Sequence, residues 1–325
     1  MRDLLFRRIV LYYTDKCTAQ CSHCVTRSGP KNLLKLPLQD ALECLNAAYG
    51  LGIHAYGITG GEPLIYLDEI KELVRHGSSL GMNCAISTNA FWGKTYEKAL
   101  EMCSFLHDNK VVALNLSADI FHNQFVAIDR VLNVIKAASA IGNLSTLVTA
   151  VITRKDPTSV EILKRLSEHT SNVKIIAPAP FGRGSELPAN LLLSEPTSKI
   201  LHRRCDEVNS PVVAPDGRVL TCCSFPVSLD LQPSSPFILG NIYDEPLASI
   251  LQRASGNPWL ELLDKEGPGG FIYQFGEALE ERGYEVKQRY HGHCDLCVDL
   301  FRAPFYLNTC CSAACAPTGP VMAAD

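Results

Sequence analysis

Between residues 9 and 179, short β-type runs alternate six times with stretches of helical periodicity, and this alternation narrows the possible folds most sharply. Strands are expected over 9–13, 55–59, 84–87, 111–116, 146–153 and 173–177. Helices are expected over 38–48, 67–80, 95–107, 130–141 and 159–169. The first helix carries its apolar stripe at Leu38, Ala41, Leu42, Leu45 and Ala48, the second at Ile70, Leu73 and Val74, both at the spacing of one helix face. Short β-to-α connections repeated in this way demand an α/β fold with a parallel sheet and right-handed crossovers. Six such units can curl into an incomplete barrel. Ligands of such sheets gather at the carboxyl ends of the strands, where the loops converge. With 325 residues, 46% of them hydrophobic, the chain can bury one large α/β domain and something smaller. We expect a barrel over 1–190 and a second unit over 191–325.

The loop after the first strand, Thr14-Asp15-Lys16-Cys17-Thr18-Ala19-Gln20-Cys21-Ser22-His23-Cys24, places three cysteines at C-x3-C-x2-C spacing. Three thiolates on one loop can hold three irons of a cubane [4Fe–4S] cluster and leave the fourth iron open. Zinc with His23 as a fourth ligand is the alternative, although structural zinc sites favour paired C-x2–4-C spacing. The second strand ends in Thr59-Gly60-Gly61-Glu62-Pro63, whose glycines allow backbone to approach a ligand closely.

A strand followed by C-x3-C-x2-C, with a Gly-Gly-Glu-Pro loop after the next strand, resembles the radical S-adenosylmethionine (radical SAM) superfamily, whose fold is the incomplete barrel. The resemblance implies that Cys17, Cys21 and Cys24 hold a [4Fe–4S] cluster whose open iron binds the methionine part of S-adenosylmethionine. It also implies that Gly60, Gly61 and Glu62 orient the amino group of that cofactor. His23 fits a position that is usually aromatic in the family. By position, Ser87, Asn89, Ser117 and Asp119 resemble residues lining the ribose and carboxylate of the cofactor; turn and helix-cap roles suit them equally. The run 151–153 matches an apolar wall against adenine, or a buried strand. Arg183 could grip a carboxylate bidentately or stand on a surface turn, and His122 reads as a surface-loop histidine. The implied chemistry is reductive cleavage of the sulfonium, giving methionine and a 5′-deoxyadenosyl radical that takes hydrogen from a substrate.

Fourteen cysteines in a chain without a signal peptide point to metal or redox roles rather than disulfides, and to the cytoplasm. Cys44, Cys84 and Cys103 stand alone in apolar segments and read as core residues. The others cluster at 17–24 and from 205 onward, which suggests two metal centres. Beyond residue 184 the β-α alternation stops. A hairpin is expected around Asp216-Gly217, a short helix over 197–204, a helix ending near Arg253, and Cys294 and Cys297 form a later C-x2-C pair. This arrangement resembles the auxiliary-cluster extensions of radical SAM enzymes, the seven-cysteine SPASM form and the four-cysteine twitch form. Residues 298–303 lack the further cysteine that the full form requires. The short form implies a second [4Fe–4S] cluster on Cys205, Cys222, Cys294 and Cys297, with zinc as the alternative on the same four thiolates.

Cys223 lies beside an expected ligand, and successive strand side chains face opposite ways, so it could present a thiol to the barrel as a hydrogen-atom donor; a spare core residue is the plainer reading. Cys310, Cys311 and Cys315 depart from the usual pattern of the extension and could ligate a further cluster or form a flexible, redox-sensitive end. Enzymes with this extension most often modify ribosomally made peptides. The expected substrate is therefore a precursor peptide, with epimerisation ranked first and crosslinking second, and with an external electron donor of flavodoxin or ferredoxin type. A small-molecule dehydrogenase, a sulfatase-type maturase and a non-catalytic scaffold are the alternatives. With eight residues before the first strand, no separate leader-binding module is expected there, and peptide recognition is expected to fall to the barrel itself or a partner protein. The formal charge of −4 offers no polybasic face for nucleic acid, and no apolar run is long enough to span a membrane.

Overall fold

A computed structural model of the chain describes residues 5–153, 157–222, 231, 235–281 and 283–302. The six expected strands form β1 (Ile9–Thr14), β2 (Ala55–Gly60), β3 (Asn83–Thr88), β4 (Val111–Ser117), β5 (Ser145–Val151) and β6 (Val173–Ile176). Each pairs in parallel with the next. The five crossover helices are α1 (Leu38–Gly50), α2 (Leu67–Ser79), α3 (Tyr96–Asp108), α4 (Ile128–Ile141) and α5 (Pro157–Ser167). Every residue of β1 is buried, as expected of a central parallel strand covered on both faces. The helices turn Ile70, Leu73 and Val74, or Val131, Leu132 and Ile135, onto the sheet. Gly77 lets α2 lie on Tyr56, whose hydroxyl would sit 2.4 Å from an added Cβ. Cys44, Cys84 and Cys103 are core residues, at most 3% exposed.

The remaining part of the chain continues the same sheet. After β7 (Glu195–Pro196) and the single-turn α6 (Thr197–Ile200), which is shorter than expected, come β8 (Val212–Val213), β9 (Arg218–Leu220) and β10 (Ile238–Asn241). β8 pairs in parallel with β1, and β9 and β10 follow as antiparallel neighbours. The sheet order is β10-β9-β8-β1-β2-β3-β4-β5-β6. Gly217 turns the expected hairpin at φ 82°, a left-handed conformation that glycine adopts without a Cβ penalty.

The expected helix ending near Arg253 is α7 (Leu247–Ser255); α8 (Pro258–Glu266), α9 (Gly269–Glu280) and α10 (His293–Arg302) follow, with β11 (Arg289–Tyr290) paired to β7. These last three helices were not anticipated. The cause is plain at α9, which opens on Pro268-Gly269-Gly270, residues that normally mark a turn. Here Gly269 is needed because an added Cβ would lie 1.9 Å from the carbonyl of Leu201. Phe271, Trp259 and Phe301 interlock, with ring centroids at 4.8 Å and 5.5 Å from Phe301, and belong to the same core cluster as the barrel residues. No helix among the described residues is long and apolar enough to cross a membrane.

Because the two parts share a sheet and a core, damage to one should be felt by the whole chain. Phe271→Ala should cost about 3–5 kcal/mol and lower the midpoint of a single cooperative denaturant transition. Two separated transitions, with the barrel's unchanged, would contradict the shared core.

Candidate active site

The carboxyl ends of β1 to β6 surround a cavity of about 300 Å³. Cys17, Cys21 and Cys24 all contribute to its wall. The cysteine loop is folded by its own backbone. Cys17 N–H donates to Gly29 O at 3.1 Å, Gly29 N–H to Asp15 O at 3.1 Å, and Cys24 N–H to Cys21 O at 3.2 Å. Burial, followed by the nearby Glu62, Cys21 and Cys24, pushes the Cys17 thiol up to about 12, against an N–H···S contact from Ala19 at 3.4 Å. A thiol raised in this way stays protonated alone and loses its proton to a bound cation.

The glycine loop rests directly on the cysteine loop. Gly61 N–H donates to Thr14 O at 2.6 Å and Glu62 N–H to Lys16 O at 2.8 Å. Gly60 has φ 142°, and a Cβ there would stand 2.5 Å from Thr14 O; one on Gly61 would stand 2.3 Å from Lys16 O. Glu62 differs from expectation. It is fully buried, and its carboxylate accepts from Leu64 N–H at 3.2 Å, Asn89 N–H at 2.8 Å and Thr88 Oγ1 at 3.0 Å. The cavity therefore meets the backbone of Gly60 and Gly61, while Glu62 ties the loop after β2 to the loop after β3. Burial pushes its carboxyl up to about 7 despite those hydrogen bonds. Thr88 in turn accepts from Trp92 Nε1 at 3.1 Å. Neither Thr88 nor Trp92 was singled out in the sequence.

Ser87, Asn89, Ser117 and Asp119 all reach the cavity wall, but they divide in role. Ser87 and Ser117 are half-buried hydroxyls. Asn89 is a brace: its amide lies 3.0 Å from Thr18 Oγ1 and 3.7 Å from Cys17 Sγ, and its oxygen accepts from Phe91 N–H at 3.0 Å. Asp119 caps the turn after β4 through the N–H groups of Phe121 and His122, both at 2.9 Å, and reaches β5 through Val151 N–H at 3.1 Å. Its second partner is His122 Nδ1 at 3.0 Å. Burial opposes charge on both groups, yet the hydrogen bond and charge of His122 hold Asp119 below the usual carboxylate range. Asp119, and then Cys21, raise His122 to about 10. His122 is thus part of the wall, where the sequence suggested a surface loop; its i, i+3 spacing from Asp119 was the available signal.

His23 behaves oppositely. Burial lowers it to about 4, so its 3.9 Å approach to Asp119 joins a neutral ring to a carboxylate. It packs on Phe121 with centroids 4.6 Å apart, and its Nδ1 has no partner among the described residues. Cys21, His23 and His122 bring their ligand atoms within 4.8 Å of one another. Arg183 also departs from expectation. It lines the cavity, and its Nε donates to Cys21 O at 2.8 Å and its Nη2 to Ser28 O at 2.7 Å, so one of its two bidentate edges holds the cysteine loop. Val151 packs beside Ala19 and Cys21, which suits an apolar wall.

A second group of thiols meets away from this cavity. Cys205, Cys222, Cys294 and Cys297 line a small space of about 30 Å³ with Phe237, Leu263 and other residues. Cys294 and Cys297 lie on the first turns of α10 at i, i+3, hence on one helix face; Cys222 follows β9 by two residues. Burial, and then the sulfurs of Cys222, Cys294 and Cys205, hold the Cys297 thiol well above its ordinary value. Four converging thiols and an apolar lining are a donor set suited to iron–sulfur or zinc. Cys223, Cys310, Cys311 and Cys315 lie outside the described residues.

The contact between Gly61 and Lys16 gives a direct test. Gly61→Ala overpacks against backbone, at a cost of about 1–3 kcal/mol, and should weaken S-adenosylmethionine binding about tenfold or more with the iron of the second centre retained. Calorimetry with iron and sulfide counts measures both; unchanged affinity would show that the close approach is unnecessary.

Comparison with known proteins bears on the family and the fold. Over 301 residues the chain is 23% identical to the "Putative peptide biosynthesis protein YydG" of Bacillus subtilis, covering 90% of this chain and 92% of that protein. It is 28% identical over 196 residues to a GTP 3′,8-cyclase of Ectopseudomonas mendocina, covering 55% and 57%. Among solved structures, Streptococcus suis SuiB bound to S-adenosylmethionine superposes with a TM-score of 0.51 at 16% identity, over 80% of this chain and 68% of that one. The anSMEcpe structure with bound AdoMet gives 0.54 at 15%, over 94% and 99%; at these identities both show the shared fold. The iron-sulfur cluster-binding SPASM domain matches residues 205–262, and the Radical SAM superfamily matches residues 11–173, half of the chain: the chain belongs to the radical SAM superfamily and carries a SPASM-type extension.

Proposed function

We propose that this enzyme matures a ribosomally made peptide, and that its reaction is L-to-D epimerisation at a peptide α-carbon. The observation that carries the radical chemistry is the meeting of three thiols with the Gly60–Gly61 backbone in one cavity wall. The peptide substrate is supported by the relative that matches along nine-tenths of the chain and is named for peptide biosynthesis. Cys17, Cys21 and Cys24 would hold one [4Fe–4S] cluster, and Cys205, Cys222, Cys294 and Cys297 a second that is fully ligated by protein. Reduced by one electron and loaded with S-adenosylmethionine, that first centre would supply a 5′-deoxyadenosyl radical able to take hydrogen from carbon.

The chain's own residues do the rest. Gly60 and Gly61 would present backbone to the amino group of the cofactor, Ser87 and Ser117 would present hydroxyls to its ribose and carboxylate side, and Val151 would provide an apolar surface for its base. Glu62, Asn89, Asp119 and Arg183 fix the loops on which those groups stand, so the site is organised before anything binds. Cys223 follows Cys222 directly and would return a hydrogen atom to the opposite face of the α-carbon. The substrate gains as many hydrogens as it loses. The sulfur radical left on Cys223 is restored by one electron and one proton, the electron coming from a flavodoxin- or ferredoxin-type donor. A reducing, cytoplasmic setting suits this economy of thiols.

In D2O, turnover of a candidate precursor peptide should place a single solvent deuterium at an α-carbon, as read by mass spectrometry, and Cys223→Ala should abolish its incorporation. Loss of two hydrogens from the product would replace epimerisation with crosslinking. A chain that fails to cleave S-adenosylmethionine under anaerobic reduction would sink the enzymatic reading. Replacing Cys17, Cys21 and Cys24 together by Ala should remove about four irons per chain and leave the second centre's spectrum; replacing Cys205 and Cys297 should do the reverse. Loss of zinc rather than iron from the second variant would reassign that centre.

A further inference from the structure

Outside the cavity, a groove of about 570 Å³ opens between α2 and α3. Its floor is aromatic and aliphatic, with Phe91, Trp92 and Phe105 beside Leu64 and Met102, and its rim is cationic, with Lys71, Lys94 and Lys98. Arg75 adds a fourth positive group: its guanidinium lies over the Phe105 ring at 5.0 Å, as does the Lys71 ammonium. Glu101 is the one carboxylate lining the groove among the described residues. None of the four cations has a carboxylate within ion-pair distance among the described residues, although the chain forms many such pairs elsewhere. Lys94 and Lys98 are exposed. A cluster of like charges over an aromatic floor, in a chain whose net charge is negative, is a local excess that favours an acidic partner.

The place of the groove in the fold identifies which acidic partner. Its walls grow out of the two loops that brace the cysteines, since Leu64 follows Glu62-Pro63 and Phe91-Trp92 follows Asn89-Ala90. From the floor, Phe91 N–H donates to Asn89 Oδ1 at 3.0 Å, and the Asn89 amide lies 3.7 Å from Cys17 Sγ. One residue therefore separates the surface from a sulfur of the first thiol set. Trp92 Nε1 binds Thr88, which binds Glu62. We propose that this lysine-rimmed groove docks the acidic face of a small one-electron carrier protein and that its electron enters the first centre across the Phe91–Asn89–Cys17 contact. The inference rests on the function proposed above. In this step the carrier is oxidised by one electron and the [4Fe–4S] centre is reduced by one, with no bond made or broken. Such encounters use small interfaces and depend on charge for their association rate.

The test uses the full-length reconstituted enzyme, with reduced bacterial flavodoxin as the probe. Lys94→Glu combined with Lys98→Glu should weaken flavodoxin binding about tenfold or more, measured by calorimetry at low salt. Stopped-flow reduction of the cluster by flavodoxin should slow in proportion and lose most of its salt dependence. Dithionite, which needs no docking face, should drive S-adenosylmethionine cleavage at the unmodified rate in the same variant. Unchanged flavodoxin affinity and reduction rate would overturn the proposal. So would a variant that loses binding of an acidic peptide probe while flavodoxin is unaffected, since the groove would then be a peptide site. Absence of dithionite-driven cleavage in the unmodified enzyme would instead remove the proposed function; the binding comparison would still decide the docking face.

Discussion

The site depends on two backbone loops lying in contact. Gly61 and Glu62 donate to the carbonyls of Thr14 and Lys16, and the approach is so close that no side chain fits at Gly60 or Gly61. A contact of this kind holds the cysteine loop against the end of β2. Glu62 then extends the constraint to β3. A buried carboxylate is costly unless its oxygens are satisfied; Glu62 meets that condition only when Leu64, Thr88 and Asn89 stand where they do. Two loops are thereby locked by one side chain, and the cysteine loop is joined to them through the main chain of Gly61 and Glu62. Asp119 repeats the device between β4 and β5, and Arg183 ties the segment after β6 back to the first loop.

That bracing explains which parts of the site could be read from the sequence and which could not. The sheet was legible because its strands and helices carry different periodicities, and β1, with no polar residue before Thr14, reads as a buried strand without ambiguity. The two thiol sets were legible because cysteine spacing is itself a geometric statement. Side-chain direction was not. Nothing local to Gly-Gly-Glu-Pro says whether Glu62 faces a ligand or the neighbouring loop; the answer comes from Thr88 and Asn89, more than twenty residues away. Arg183 was open to two readings for the same reason, since two of its acceptors are the distant carbonyls of Cys21 and Ser28. His122 became a wall residue only because Asp119 is held by β5. Helix α9 was hidden because Gly269 and Gly270 pack closely on Leu201 and Glu266, and glycine placed for packing looks the same as glycine placed for a turn.

The SPASM-type extension is best understood as an addition to β1. Val212 and Val213 pair with Val10 and Leu11, so the hairpin leading to Cys222 takes the free edge of the strand leading to Cys17. An exposed parallel edge would be a hazard for pairing with other chains, and β8 covers it. Both metal-binding segments then leave a common sheet, and their relative placement is set by main-chain register rather than by a flexible linker. The packing of Phe271, Trp259 and Phe301 beneath α10 fixes Cys294 and Cys297 in the same frame.

This shared frame bears on how the two thiol sets behave before metal arrives. In each, burial and the neighbouring sulfurs raise a thiol: Cys17 in the first set, Cys297 in the second. Raised thiols hold their protons, and protonated sulfurs can be packed closely without the repulsion that thiolates would bring. Cys17 and Cys297 can therefore be packed in place as neutral thiols, and a cation then displaces their protons from a geometry that already exists. The cost of that preorganisation falls on the loops, which is why they are pinned by buried carboxylates rather than left to close around the metal. The groove between α2 and α3 is the outer surface of the same pinned loops. Any partner that presses on Trp92 touches a side chain whose indole N–H is already engaged with Thr88, and through it with Glu62. In this fold, rigidity at the centre and recognition at the surface are two faces of one hydrogen-bonded chain.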